Sequence, residues 1–503
     1  MFIRLNRYIV VRLFLAVLFL SGTSAAQLDQ TFGVGGKVVF SPFPGGATAR
    51  RVRIQPDGKI VTFGTTTIWY GSSFLSRHDS NGVLDPSFAG DGIVEFSDGF
   101  YNDMVVLSGG NILVTGESAY FAGSTGFRTY DSNGTRLLRP AEASWDDTLG
   151  RRLLVQPDGK IVIVTYTGTP NFAANDLAAI RYMDTAEYFD PSFGNFSLAV
   201  SSVPVRRDTE FWNDLYGADF LGDAAIQPDG KIVMMGSGTT GTKVVRLTTT
   251  GVLDGNFGSS GIASLPGSLA YAHPGGMVIQ NDGKIVINGV LTEFGLNSSF
   301  IVRLNANGTL DDQFGTGGIV SILEPDPDAR GIGTALAIDP TGKIITAGDR
   351  GGSFALMRFR PSGLLDTSFG TNGVLVTPMT TERSSIHSIA WQSAGKLIAV
   401  GTVEGTNRAV GIARYEITNS GITISGRVVT PNGTPIRNVS VTLVDSQGSR
   451  RTTNTGSFGL FVFDNVTAGS SYTVSASSKR FRFPARSIQP TGDLTLEDFV
   501  GLE

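Results

Sequence analysis

The sequence predicts an all-β chain: a seven-bladed β-propeller followed by a small β-sandwich. Three observations carry that expectation. The heptapeptide QPDGKIV occurs at Gln55–Val61, Gln156–Val162 and Gln227–Val233, with a near copy, QNDGKIV, at Gln280–Val286. A second element of the form LDxxFG recurs out of phase with the first. From Ile422 onward neither element occurs, yet alternating strand-like runs continue.

The first element gives the period. Its turn glycine falls at Gly58, Gly110, Gly159, Gly230, Gly283, Gly342 and Gly395, about 56 residues apart on average. The second element starts at Leu28, Leu84, Phe189, Leu253, Leu310 and Leu365, with only a poor copy, WDDTLG, at Trp145–Gly150. Between the two lie runs such as GIVSIL (Gly318–Leu323), TALAIDP (Thr334–Pro340), KIITAG (Lys343–Gly348) and FALMRF (Phe354–Phe359). They are short, rich in β-branched and aromatic residues, and bounded by turn formers, so each reads as a strand. Four short strands per unit is the pattern of a propeller blade. No helical period intervenes, which argues against α/β folds.

Closure gives a further test. The last unit ends at GIARYEI (Gly411–Ile417) with no LDxxFG after it, while the chain opens with a spare LDxxFG and the strand Lys37–Phe40. Pairing the two ends completes the last blade and leaves no free sheet edge. Seven blades follow, with six or eight as alternatives because the second and third repeats are degenerate.

The repeat, read as QPDGKIV…G…FALMRF…LLDTSFG, resembles the delta-sixty repeat of bacterial β-propellers over about Leu28–Ile417. The resemblance implies a propeller on an exported bacterial protein and supplies no catalytic residues. The segment 422–503 resembles the carboxypeptidase regulatory-like module, a transthyretin-like β-sandwich, through SGRV (Ser425–Val428), GTPIRNVSVTL (Gly433–Leu443) and TGSFGLFVFDNV (Thr455–Val466). That module is not itself catalytic; in bacterial surface proteins it looks like a spacer or binding module.

Composition agrees with a turn-rich globular chain. Hydrophobic residues make up 41% and charged residues 17% of 503, with 65 glycines. The formal charge of −4 gives no electrostatic case for nucleic acid. Residues 1–26 read as a signal peptide: Arg4, Arg7 and Arg12, the apolar run Leu13–Leu20, then Ser24 and Ala26 at the −3 and −1 positions of a cleavage site. An eight-residue apolar run is too short for a span of roughly 20 residues. No membrane span is therefore expected after cleavage, and the location expected is extracellular, on the outer cell surface or periplasmic. There is no cysteine, which leans bacterial for an exported protein.

Chemistry is sparse. The three histidines, His78, His273 and His387, form no pair at ligand spacing, and no metal or cofactor is expected. Asp57, Asp158, Asp229 and Asp282 read as hairpin residues, Asp-Gly filling the central turn positions where φ is positive. The aspartates of LDxxFG (Asp29, Asp85, Asp190, Asp254, Asp311, Asp366) read as turn-fixing side chains, and their phenylalanines as wedges between blades. Asp79 and Asp131, each opening a DSNG sequence, faintly resemble calcium loops, and Glu324–Arg330 is the best local candidate for a cation. The triplets quoted from the inner strands, VRI, MVV, LLV, AAI, MVI, LAI and SIA, offer no converging acids.

Topology places the repeated turns on one face of the ring and the irregular loops on the other. The irregular loops carry Trp69, Tyr70, Trp212, Tyr216 and Tyr271, the candidate binding residues, because aromatics on rigidly held loops suit sugar rings or protein hot spots. The expected function is non-catalytic binding or adhesion to a glycan or protein. The alternatives are a propeller-type hydrolase or lyase with a carboxylate-lined channel, and a structural spacer.

Overall fold

A computed structural model describes the chain from Ala26 to Leu502, except residues 68–71, 98, 119–124, 138–149, 168–174, 184–189, 195–197, 206–220, 239–240, 268, 270–271, 294–295, 324–330, 394, 418–421, 457, 468 and 492–493. Six four-stranded sheets and one five-stranded sheet follow one another as seven blades. Within a blade the chain runs outward from the first strand to the fourth, each pair antiparallel. Blade 6 shows the plan: Gly331–Ile338, Ile344–Arg350, Ser353–Phe359 and Val374–Thr377.

Blade 7 is built from both ends of the chain. Its three C-terminal strands are Ser384–Ser393, Lys396–Val403 and Ala409–Ile417. The strand Lys37–Phe40 pairs with the last of these, Lys37 opposite Ala413. The expected closure is thus present. A second, shorter strand, Ala26–Leu28, extends it, with Leu28 opposite Tyr415. The expected leader, up to residue 25, lies outside the described residues.

The heptapeptide turn differs in detail from the expected hairpin. Gln55 N–H donates to Lys59 O, and Gly58 N–H donates to Gln55 O. Only Gly58 has a positive φ, +84°, while Asp57 accepts from Lys59 N–H at 3.1 Å. This is a type I turn closed by a left-handed glycine rather than a turn with two positive-φ residues. The four to five loop residues need only one position that other side chains avoid.

The innermost strands are bulged, as at Ala49/Arg51, Tyr101/Asp103 and Ile386/Ser388. The bulge pushes a carbonyl toward the second strand, where only glycine fits. A Cβ on Gly401 would lie 1.8 Å from Ser385 O. The cores sit between neighbouring blades: Phe193, for example, packs with Val162 and Val164 of blade 3 and with Ala224 and Ile232 of blade 4. The wedge reading of the LDxxFG phenylalanines is therefore correct, and all six are fully buried.

After the propeller, two further four-stranded sheets form. One contains Ile422–Val429 and Leu460–Val466; the other contains Ser440–Asp445 and Tyr472–Ser477. They enclose Ile424, Val441, Leu443, Phe461, Phe463 and Phe499, so alternate strand residues face one core.

Candidate functional site

The five candidate binding residues, Trp69, Tyr70, Trp212, Tyr216 and Tyr271, lie outside the described residues, as does the acidic segment 324–330. What the structure places clearly is the opposite face and the channel between the inner strands.

The opposite face is organised by one recurring clamp. In blade 3, Arg181 Nε contacts Asp190 Oδ2 at 2.9 Å, and Lys160 Nζ reaches the same oxygen at 3.0 Å. The guanidinium lies 4.5 Å from the centroid of the Phe193 ring. Asp190 Oδ1 accepts from Ser192 N–H and Oγ–H, which is the turn-fixing role expected from sequence. Arg181 also donates to Thr249 O and to Gln156 Oε1, and Gln156 Nε2 donates to Gly230 O of the next blade. One charged cluster therefore fixes the blade's own turn and latches it to its neighbour.

Sequence reading singled out the aspartate and phenylalanine of this clamp but missed the part played by the lysine of the heptapeptide, and the arginine altogether. Its signal is regular: Arg77, Arg246, Arg303 and Arg358 each precede their aspartate by eight residues. Burial would raise the carboxyl pKa, but donors and cations more than offset it. In blade 1, the hydroxyl and N–H of Ser87, Lys59 and the Arg77 charge bring Asp85 down to about 2 despite burial. Asp29, Asp190, Asp254, Asp311 and Asp366 are held below the ordinary value in the same way. The DSNG aspartates serve their turns: Asp79 Oδ1 accepts from Asn81 and Val83 N–H, and Asp131 Oδ1 from Asn133 and Thr135 N–H.

Blade 2 loses the clamp as a unit. Leu107 stands where Gln55 stands in blade 1, Asn111 where Lys59 stands, and Thr129 where Arg77 stands. A buried aspartate without its arginine would be costly, so joint loss is the stable outcome. Arg128, one residue away, instead donates to Tyr101 Oη at 2.7 Å.

The inner strands are more charged than the quoted triplets suggest. Asp103 is 1% exposed and contacts Arg51 Nε at 2.9 Å, while its other oxygen accepts from Leu153 N–H of the next blade. Arg152 Nε contacts Asp223 at 3.0 Å, and Asp223 accepts from Met277 N–H. These charges lie just before the triplets, and Arg51, Asp103 and Asp223 stand at bulges of their strands. Despite burial, which would raise it, Arg51, Arg53 and Arg152 hold the Asp103 carboxyl below its ordinary range. The acids do not converge on one another: among the described residues no group of three or more His, Asp or Glu side chains could hold a metal ion. His387 is on the inner strand of blade 7 as expected, its Nδ1 2.8 Å from Ala49 O. His273 opens a strand, where a loop was expected.

On the turn face, a cleft of about 730 Å³ opens between the first turns of blades 5 and 6 and the inner strand of blade 7. Gln280, Asp282, Asp339 and Trp391 line it. Trp391 Nε1 donates to Ile338 O at 2.9 Å. Sequence reasoning passed over this place because its residues occupy the scaffold motif.

Comparison with known proteins supports the two-part organisation. The carboxypeptidase regulatory-like domain matches residues 423–500. The domain of unknown function (DUF5122) beta-propeller matches residues 55–88, 227–257, 280–314 and 340–369. No curated protein matches the chain. Among solved structures, Drosophila semaphorin 2a is 10% identical, with 92% of this chain and 97% of that chain covered and a TM-score of 0.45. A catalytically inactive virginiamycin B lyase from Staphylococcus aureus with quinupristin is 11% identical, with 75% and 98% covered and a TM-score of 0.44. A protein of unknown function from Dyadobacter fermentans is 11% identical, with 78% and 99% covered and a TM-score of 0.41. At these scores none of the three carries an argument about activity. The chain carries a DUF5122 beta-propeller and, after it, a carboxypeptidase regulatory-like domain.

Proposed function

We propose that this protein is a non-catalytic binding scaffold, exported from a bacterium and displayed outside the cell, that holds a glycan or protein on its irregular-loop face. One observation carries the reading: the repeated ionisable residues are occupied in holding the ring together. The six LDxxFG aspartates pair with arginines, and the channel aspartates Asp103 and Asp223 pair with Arg51 and Arg152. A carboxylate so paired is a poor general base, because its proton affinity is low. This disfavours the hydrolase or lyase alternative, which needs carboxylates free in the channel. A rigid ring with long variable loops on one face is the arrangement that presents binding residues. Among the described residues no helix is long and apolar enough to cross a membrane.

The test is a screen of the full chain against a glycan array and against extracellular protein extracts, with Trp212→Ala alongside. Binding that weakens about tenfold in the variant supports the reading, since an aromatic anchor is worth roughly 1–2 kcal/mol or more. Absence of any ligand would favour the spacer alternative, and turnover of a bound ligand would favour the enzyme.

A further inference from the structure

The sandwich has a far end that the propeller does not reach through the chain. The strand Ile422–Val429 enters from the propeller at Ile422 and arrives at Val429 about 25 Å on. Backbone hydrogen bonds gather several segments at that end. Val428 N–H donates to Gly459 O, and Ile436 N–H donates to Val428 O. Gly501 N–H donates to Val429 O, while Arg482 and Leu502 exchange both of their backbone bonds. In the facing sheet Ser440 stands opposite Asn454 and Ser477. Arg437, three residues before Ser440, and the segment that follows Ser477 therefore meet at the same end.

The described residues of the sandwich leave three large apolar side chains exposed, and all three are here: Phe458 at 48%, Val500 at 41% and Leu502 at 57%. Four exposed cations stand among them, Arg437, Lys479, Arg480 and Arg482. Among the described residues of the sandwich the ion pair is Arg427 with Asp498, so none of the four meets a carboxylate. Glu503, next to Leu502, lies outside the described residues. The chain as a whole carries −4, so this basic end runs against the charge of the rest. Apolar side chains exposed singly need no explanation, but three confined to one end with four unpaired cations do.

The partner must take both kinds of side chain. A soluble polyanion would engage the cations and leave Phe458, Val500 and Leu502 in water. An anionic bilayer engages both, its phosphate headgroups receiving the cations and the acyl boundary beneath them receiving the apolar side chains. We propose that this end of the sandwich docks on an anionic phospholipid membrane, with Phe458, Val500 and Leu502 seated at the headgroup–acyl boundary. The propeller is joined at the opposite end of the same strand, so docking leaves its loops free. The docking end would supply the display outside the cell in the reading above, but it does not rest on the loop face, which belongs to the other domain.

The experiment sediments the full chain with vesicles of phosphatidylglycerol and phosphatidylcholine in equal parts, and with vesicles of phosphatidylcholine alone. The chain is expected to bind the mixed vesicles, to bind pure phosphatidylcholine far less, and to be weakened by added salt. Lys479→Gln combined with Arg480→Gln should weaken binding by about twentyfold or more, each cation near such a surface being worth about fivefold. Phe458→Ser should weaken it by about tenfold. Arg450→Gln combined with Arg451→Gln removes two cations from the other end of the sandwich and should bind as the parent does. All these side chains are exposed, and melting temperatures check that each variant folds. The proposal is overturned if the mixed vesicles are not bound, if both vesicle types are bound alike, or if the two cation pairs prove equivalent. Binding lost with Lys479 and Arg480 but unchanged in Phe458→Ser would also overturn it, by showing a charge contact without insertion. Failure here would leave the loop-face reading standing, since that reading is tested on glycans and proteins.

Discussion

Arg414 Nε lies 2.7 Å from Asp29 Oδ2, across 385 residues of sequence. The same aspartate receives Lys396 Nζ at 2.8 Å, and Arg414 stacks 4.8 Å from the Phe32 ring centroid. Blade 7 therefore completes its clamp with the LDQTFG that opens the chain. Ring closure is an ionic lock as well as a strand pairing. With Arg414 3% exposed, Asp29→Asn leaves a cation buried without its anion. The expected cost is about 3–5 kcal/mol, read as a lower urea midpoint. Asp190→Asn should cost a similar amount, but only Asp29→Asn should expose the segment Ala26–Phe40 to protease before global unfolding. Equal protection of that segment in both variants would contradict the lock.

His78 is 1% exposed and stands edge-on to Phe40 of the closing strand, with ring centroids 4.9 Å apart. The equivalent position holds Tyr130, Tyr182, Leu247, Leu304, Phe359 and Tyr415 in the other blades, all buried. Burial pushes the His78 pKa down from 6.5 to about 4, against the opposing pull of Asp79. The unfolded chain then binds a proton that the folded chain refuses. The stability is therefore complete above pH 6.5, falls as pH drops toward 4, and changes no further below that. The loss should reach about 3 kcal/mol. Urea midpoints measured from pH 7 to 4 should show it, and His78→Leu should abolish most of the slope.

Acid acts on the clamps in a lower window. The Asp85 pKa is lowered to about 2, so the folded chain keeps this carboxylate charged where the unfolded chain protonates it. Its contribution is present above the ordinary value of 3.8 and is lost as pH falls through about 2. Asp85→Asn should therefore remove one clamp's share of the slope below pH 4, the other clamp aspartates keeping theirs, while leaving the step above pH 4 to His78. A variant that flattens the upper step instead would show that the two groups are coupled.

Two glycines should answer alanine very differently. At Gly401 a Cβ would meet Ser385 O at 1.8 Å, so Gly401→Ala must move the bulged inner strand of blade 7. A cost above about 3 kcal/mol is expected, at the upper end of overpacking. At Gly58 a Cβ meets nothing within 4 Å, and only its φ of +84° resists substitution. Gly58→Asn should cost about 1 kcal/mol or less, because asparagine tolerates the left-handed region. Thermal denaturation of the two variants side by side decides the ranking.

The sequence by itself pointed to seven blades, with six or eight left open, and to where the turns fall, because these are local: each heptapeptide makes its own turn, and each LDxxFG aspartate fixes the turn that carries it; the closing strand followed from counting the repeat elements at the two chain ends. It also determined the wedge phenylalanines, since a repeated aromatic in a repeated turn must be buried the same way each time. Only the tertiary structure decided the partners. Arg414 finds Asp29, Arg152 finds Asp223, and Gln156 finds Gly230 because the ring sets neighbouring blades side by side. A bulge then decides which inner-strand side chain points across. The aromatics named from the loops were chosen by composition and topology and lie outside the described residues. Gln280 and Asp339 open the first turn of successive repeats and Trp391 stands one residue before that position in the next, so in one dimension they read as small variations on a scaffold motif. Setting blades 5, 6 and 7 side by side brings the three to one cleft.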